Sequence, residues 1–321
     1  MSIVIMGGTG SLGTHLLQYF YEKGEKIIVV SRDEQKQFIL KERFPETTFL
    51  LGDIRCKNDI CDAFRDTMGR DEQITLVINA AALKHVSIGE YNVFQSVKTN
   101  ILGSKNIIDA CVEFSIPTCV FVSTDKAVEP VNLYGKCKAV AENLFIQGNT
   151  QGKTRFVGVR YGNVINSNGS LIPFYQRCVQ QRQPLLLTHS EMTRFFLTLK
   201  QAVHIIERAC AAGTHRGTIT IPKMISAKVL DIAQLYSEKY DLPIKIIGIK
   251  PGEKLHEILL AHTEFTRTED YEDRYCLYDG TLLANFDKIK CTTRTSYASN
   301  DSNILQSKEE IKRILEIEGL L

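Results

Sequence analysis

Near its start the chain reads Ile3-Val4-Ile5-Met6-Gly7-Gly8-Thr9-Gly10-Ser11-Leu12-Gly13, a short apolar run that breaks into glycines and restarts as a helix. Glycines at 7, 10 and 13 let the main chain turn tightly and approach a pyrophosphate, and the N-terminus of the following helix offers free N–H groups and a positive dipole end. The helix predicted over Leu12–Lys23 places Leu16, Leu17 and Phe20 on one face. Working outward, strands are predicted at Lys26–Val30, Thr48–Leu51, Leu76–Asn79, Thr118–Val122 and Arg155–Val159, with helices at Val93–Phe114 and Leu133–Gln147 between them. Short apolar strands alternating with helices predict an α/β fold built on a doubly wound parallel sheet.

After about Val164 the alternation stops, and helices are predicted over Leu171–Gln181, Lys200–Ala212, Lys228–Lys239 and Lys308–Glu318. This divides the chain into a dinucleotide-binding domain, 1–165, and a smaller mixed α/β substrate-binding region, 166–321. The stretch 195–221 is a candidate to rejoin the first domain through a strand at Thr218–Ile221. Phe195, Phe196, Ile205, Ile206 and Ala209 are expected in the core, and the run Lys308–Lys312 on a solvated helix face.

At 321 residues, with 44% hydrophobic and 24% charged residues, the composition is that of an ordinary globular protein and excludes a fibre, a coiled-coil rod or a disordered chain. A net charge of +2 is far from that of a dedicated nucleic-acid binder. No apolar run approaches the roughly 20 residues that cross a bilayer, and the N-terminus lacks the features of a signal peptide. The expectation is a cytoplasmic protein without nucleic-acid or membrane partners. The nine cysteines (Cys56, Cys61, Cys111, Cys119, Cys137, Cys178, Cys210, Cys276 and Cys291) are scattered without a CxxC, and the seven histidines form no HExxH. Free thiols and no metal site are expected.

The GxxGxxG spacing in Gly7–Gly13, directly after a first strand, resembles the short-chain dehydrogenase/reductase superfamily, which has a Rossmann-like fold. Gly7, Thr9, Gly10, Ser11, Leu12 and Gly13 then form the cofactor loop. At the end of the second strand an NAD enzyme usually places an acid on the ribose 2′-hydroxyl. Here Ser31 stands in that slot, and Arg32 can pair with a 2′-phosphate, so NADP is predicted. Asp53 and Ile54 look like the adenine-edge contact of the superfamily, and Ala80, Ala81 and Ala82 leave room for the cofactor.

Tyr134 and Lys138 form a YxxxK pair on one helical face. A lysine ammonium beside a nicotinamide cation is expected to lower the phenol pKa, so that Tyr134 can act as a base. The Ser123-Thr124-Asp125-Lys126 segment falls at the C-terminal edge of the fifth strand, where ligands of doubly wound sheets sit. A plain dehydrogenase or epimerase of the superfamily needs the hydroxyl and the Tyr–Lys pair, and has no use for the added acid and base.

Together with NAAALKHV (Asn79–Val86), RYGNVINSNGSLIPFY (Arg160–Tyr175), MTRFF (Met192–Phe196) and GIKPGEKLHE (Gly248–Glu257), these segments resemble the inverting UDP-N-acetylglucosamine 4,6-dehydratases over nearly the whole chain. Retaining dehydratases carry Asp-Glu where this chain has Asp125-Lys126. The resemblance implies that Thr124 and Tyr134 hold the sugar 4-hydroxyl and that Lys138 holds the nicotinamide ribose. It assigns the elimination to Asp125 and Lys126. Lys84 and His85 would line the pocket, Lys84 on the cofactor side as well. Asn163 and Ser167 would lie along the sugar or its phosphates, and Arg194, Lys250, Glu253 and Lys254 would bind UDP. Lys250 departs from the family pattern, where an arginine is usual, and loses the fork that suits phosphate.

The implied cycle oxidises carbon 4 and eliminates water across carbons 5 and 6. It then returns the hydride to carbon 6 and reprotonates carbon 5 from the opposite face. It requires a neutral Lys126, with a depressed pKa, and a protonated Asp125. A homo-oligomer, paired through the Val93–Phe114 and Leu133–Gln147 helices, is implied as well. The competing readings are a retaining dehydratase, a UDP-sugar 4-epimerase and, from a different class, an inactive NADP-binding regulatory protein.

Overall fold

The computed structural model describes residues 2–70, 72–211, 213–279 and 296–321. Cys291 and the last residue of the predicted 200–212 helix lie outside them.

The first half runs β1 (Ser2–Met6), α1 (Ser11–Glu22), β2 (Lys26–Ser31), α2 (Glu34–Arg43), β3 (Thr48–Leu51), α3 (Lys57–Met68), β4 (Ile74–Asn79), α4 (Val86–Tyr91), α5 (Val93–Val97), α6 (Gly103–Glu113), β5 (Thr118–Val122), α7 (Leu133–Gly148) and β6 (Arg155–Val159). The second half runs β7 (Asn163–Val164), α8 (Leu171–Gln180), β8 (Leu185–Leu187), β9 (Thr193–Leu197), α9 (Leu199–Cys210), β10 (Ile219–Pro222), β11 (Ile225–Lys228), α10 (Val229–Tyr240), β12 (Ile244–Ile246), β13 (Ile258–Leu260), β14 (Thr268–Asp270), β15 (Arg274–Leu277), β16 (Tyr297–Ala298) and α11 (Lys308–Ile317).

Among the described residues the main sheet has nine strands in the order β14-β15-β10-β6-β5-β4-β1-β2-β3. From β10 to β3 every pairing is parallel. The order reverses between β1 and β4, which opens a crevice at the C-terminal edge of the strands. Alternation along β1 sends Ile3 and Ile5 to one face, against Leu16, Leu17 and Phe20 of α1. Val4 and Met6 go to the other, against Ile60, Phe64, Ile107 and Phe145. Burying side chains of this size stabilises by about 1.5–3 kcal/mol each, so both faces are committed and the register is fixed.

The strand predicted at Thr218–Ile221 is β10, and it pairs in parallel with β6. The antiparallel pair β15 and β14 then extends the sheet; strands of three or four residues carry too little periodicity to be seen in the sequence. The predicted helix 93–114 is interrupted by a π-turn at Lys98–Leu102. Within that turn the Asn100 side chain accepts from Leu83 N–H and donates to Leu83 C=O, a tertiary clamp that sequence periodicity does not report.

Phe195, Phe196, Ile205, Ile206 and Ala209 are buried as expected. On α11, Lys308 pairs with Glu238, while Ile311 turns into a separate core with Tyr175 and Tyr236. The described cysteines are free thiols. Among the described residues, no helix is long and apolar enough to cross a membrane.

Candidate active site

The loops after β1, β4 and β5 leave the same edge of the sheet, and main-chain bonds hold them there: Gly7 N–H to Val30, Ala80 N–H to Met6, Ser123 N–H to Val159 and Asp125 N–H to Tyr161. Gly7 has a φ of +80°, and a Cβ there would stand 2.8 Å from Ala81 Cα. A Cβ on Gly13 would stand 2.4 Å from the Gly7 carbonyl. The approach of α1 to the loop therefore requires glycine at both positions.

A cleft of about 730 Å³ opens beside this loop. It is lined by Gly7, Thr9 and Gly10, by Ser31 and Arg32, by Ile54, and by Ala80, Ala81 and Ala82. Lys36 and Thr99 also line it; neither is marked by a sequence motif. Ser11 and Leu12 begin α1 instead: Ser11 Oγ accepts from Asn168 N–H (3.1 Å), and Leu12 packs against the core. Arg32 lies 3.5 Å from Asp53, which Arg55 also binds. Asp53 is thus an ion-pair partner of two guanidinium groups in this structure. Gln37 donates to Ser31 Oγ (2.9 Å) and fixes that buried hydroxyl at the end of β2.

The second half of the site is built on the turn after β5 and the start of α7. Thr124 caps the short 3₁₀ turn Asp125–Ala127, and its hydroxyl donates to Asp125 Oδ1 (2.9 Å) and meets the Tyr134 phenol. Ser123, the other hydroxyl, points away and donates to Glu142 (2.6 Å). That leaves Thr124 as the hydroxyl beside Tyr134. Asn132 caps α7 through Gly135 N–H, which places Tyr134 and Lys138 on the first turns of the helix. Lys138 Nζ donates to the Val122 carbonyl (2.5 Å) and lies 4.1 Å from the Phe121 ring centroid.

Lys126 Nζ lies 3.1 Å from Asp125 Oδ1, 3.3 Å from Glu257 Oε1 and 3.5 Å from Asn163 Oδ1. The Asp125 side chain is fully buried, whereas that of Lys126 keeps 23% exposure; Lys126 is the more accessible member of the pair. Glu257 closes the Gly248–Glu257 segment, and nothing local marks it in the sequence, because an acid at the end of a mixed loop carries no periodicity or motif of its own.

The electrostatics correct two expectations. Burial opposes the charge of Lys126, but the carboxylates of Asp125 and Glu257 outweigh it, and the amine is held above its ordinary range, not below it. Burial likewise pushes Tyr134 up to about 12, and the cation that pulls against this is Lys126. Lys138 is brought down to about 7 by burial. Asp125 behaves as expected: burial raises it, Lys126 pulls it down, Glu257 pushes it up again, and the net shift is upward.

The remaining predicted residues lie on the segments after β4 and β7, on β9 and on the stretch before β13. Lys84 Nζ reaches Ser167 Oγ (3.5 Å), and the His85 ring packs over Gly169. Arg194 is buried, and its guanidinium donates to the carbonyls of Thr193, Leu255 and Lys254. Lys254 Nζ donates to Val128 C=O (2.5 Å). Lys250 is exposed and forms a turn with Glu253, whose carboxylate accepts from Lys250 N–H (3.2 Å). Arg194 and Lys254 thus lie close to the Lys126 cluster, and Lys250 and Glu253 lie farther out, at the surface.

A family model for polysaccharide biosynthesis proteins matches residues 3–279. A Campylobacter jejuni subsp. jejuni serotype O:2 protein named UDP-N-acetylglucosamine 4,6-dehydratase (inverting) is 37% identical, across 98% of this chain and 97% of its own length. A Rickettsia bellii protein named UDP-glucose 4-epimerase is 33% identical, across 98% and 95%. Among solved structures, Pen from Bacillus thuringiensis superposes with a TM-score of 0.89 at 32% identity, covering 100% of this chain and 98% of that one. The dTDP-glucose 4,6-dehydratase DesIV from Streptomyces venezuelae, solved with NAD, superposes with a TM-score of 0.71 at 17% identity, covering 79% and 87%, a likeness of fold. The α/β sheet with its glycine loop, the Thr124–Tyr134 contact and the match over nearly the whole length lead to one conclusion: this chain belongs to the polysaccharide biosynthesis protein family and is an enzyme related to the inverting UDP-N-acetylglucosamine 4,6-dehydratases.

Proposed function

We propose that the protein dehydrates UDP-N-acetylglucosamine across carbons 4 to 6 with inversion at carbon 5, giving UDP-2-acetamido-2,6-dideoxy-β-L-arabino-hexos-4-ulose. The observation that carries this is the packing of Asp125 and Lys126 directly against the Thr124–Tyr134 pair. An oxidation at carbon 4 uses the hydroxyl pair; only an elimination next to it gives the acid and the amine work to do.

The cleft fits a dinucleotide: glycine loop, small alanines and the N-terminus of α1 lie together. When bound there, the nicotinamide supplies hydride acceptance from carbon 4 and its return at carbon 6. Thr124 and Tyr134 orient the 4-hydroxyl, and Tyr134 takes its proton. Lys126 removes the carbon-5 proton once the neighbouring ketone has acidified it, and after the hydride returns to carbon 6 a proton derived from solvent reaches carbon 5 on the opposite face. Burial raises the proton affinity of Asp125, which suits it to take up a proton and hand it to the departing 6-hydroxyl. Lys126 rests as an ammonium 3.1 Å from the Asp125 carboxylate, and passing one proton from Nζ to Asp125 gives the neutral base and the acid together. Glu253, Lys250 and Ser167 are proposed for the nucleotide end, with Asn163 and His85 toward the sugar. Arg194 and Lys254 act there through the carbonyls they fasten.

NADP is favoured over NAD by the half-exposed Arg32 on the rim and Lys36 beside it. The chain is further proposed to pair with a second copy. Ile88, Tyr91, Val93, Phe94 and Val140 are exposed apolar side chains on α4, α5 and α7, which pack on one another. A monomeric mass by light scattering at micromolar concentration would refute the pairing. A 4-epimerase is the second reading, favoured by the Rickettsia relative; it would leave Asp125 and Lys126 idle. Incubation with UDP-N-acetylglucosamine separates the two: a 4-keto-6-deoxy sugar nucleotide supports the dehydratase, and a C4 epimer supports the alternative.

A further inference from the structure

Glu257 is held on both sides of its main chain. Its N–H donates to Ser299 Oγ (2.9 Å), and Ser299 N–H donates to its carbonyl (2.8 Å), just beyond the β13–β16 pairing. The residue is 2% exposed. Its carboxylate lies 3.3 Å from Lys126 Nζ, 3.8 Å from Arg194 Nε and 3.9 Å from Lys254 Nζ. A buried carboxylate is costly unless cations surround it, and this one has three. Arg194 and Lys254 have further fixed partners in backbone carbonyls. Of the three, Lys126 is the most accessible, with 23% of its side chain exposed against 10% for Arg194 and 12% for Lys254.

We infer that Glu257 is a positioning residue for the elimination: it holds Lys126 Nζ between its own carboxylate and Asp125, and its negative charge sets the pH at which Lys126 gives up a proton to become the base. The inference rests on the dehydratase reading for the role of Lys126, but the contact itself does not. The groups facing Lys126 are Asp125 on its own turn, Glu257 before β13, Tyr134 on α7, Asn163 on β7 and Arg194 on β9, with Lys254 behind Glu257. Two carboxylates therefore hold the proton on Lys126 while Arg194 pushes it off. Removing the charge of Glu257 leaves Arg194 opposed by Asp125 alone. The proton affinity of Lys126 must then fall, and any rate limb that depends on the neutral amine must move to lower pH.

The test has two arms. In the first, lysine-selective ¹³C-labelled holoenzyme is titrated by NMR, with the Lys126 signal identified by its loss in Lys126→Met. Glu257→Gln should lower the Lys126 titration by about 1–3 pH units, the range for loss of one opposite charge at this distance. Glu257→Asp keeps the charge but withdraws it by one methylene, and should give a smaller shift in the same direction. An unchanged Lys126 titration in folded Glu257→Gln overturns the inference. If that variant does not fold, an unchanged titration in Glu257→Asp does the same. In the second arm, kcat against pH with UDP-N-acetylglucosamine should show the alkaline-rising limb displaced downward in Glu257→Gln. A purely structural role would lower kcat or stability and leave the limb in place. Wild type that makes no dehydrated product while the NMR shift appears refutes the dehydratase reading and leaves the control of Lys126 by Glu257 standing.

Discussion

Two ion clusters border the site, built from the same kinds of groups, and they differ in burial. Around Lys126 the side chains of Asp125, Glu257 and Arg194 are 0%, 3% and 10% exposed. Around Arg32, that side chain itself is 50% exposed and its partner Asp53 20%. In the first cluster, charge cannot be screened, so removing one member changes the proton occupancy of the next. In the second, water and salt compete with every pair, so the cluster can be opened cheaply by an incoming phosphate. On the proposed function, proton chemistry falls to the dry cluster and cofactor choice to the wet one.

The largest effect should come from the dry cluster. Lys126→Met should lower kcat by roughly 10²–10⁴-fold, the usual worth of a general base, with cofactor affinity unchanged. A variant with more than half of wild-type turnover would remove Lys126 from the chemistry. A second buried network lies behind it: Arg160 donates to both Glu142 and Glu264, and Glu142 in turn fixes Ser123. Arg160→Met strands two buried carboxylates and should cost about 3–5 kcal/mol in urea unfolding. A loss below about 1 kcal/mol, the scale of an exposed pair, would show that water reaches this network.

The wet cluster should respond more weakly and more selectively. Arg32→Ala should weaken NADP binding by about 10–100-fold, the loss of a charge-assisted contact, with little change for NAD. Equal losses for both cofactors, measured by calorimetry, would mean that Arg32 does not bind the 2′-phosphate. The smallest effect is expected from Asp53→Asn, with stability within about 1 kcal/mol of wild type. NADP affinity should fall as salt rises from low to physiological strength. A salt-independent affinity would erase the contrast between the clusters.

The sheet was legible because β1, β2, β4 and β5 are largely apolar runs of five or six residues, with Gly7, Ala80 and Ser123 directly after β1, β4 and β5. The glycine loop and Tyr134–Lys138 were legible because their spacing is local. The Asn100 clamp, the β14–β15 extension and Glu257 were not, because each depends on a partner far along the chain: Leu83, β10 and Lys126. Protonation was the least legible property. From the sequence, Lys126 should be a depressed amine, yet its state is set by two carboxylates, and the second of them, Glu257, is brought up by a loop more than a hundred residues away.

The central claim is that an amine base beside a protonated acid inverts carbon 5. Proton NMR of fresh product from UDP-N-acetylglucosamine in D₂O tests it most directly. The account predicts the L-arabino 4-keto-6-deoxy sugar nucleotide, with one solvent deuteron at carbon 5 and the carbon-6 hydride drawn from carbon 4 of the same molecule. A D-xylo product with carbon 5 retained would contradict it.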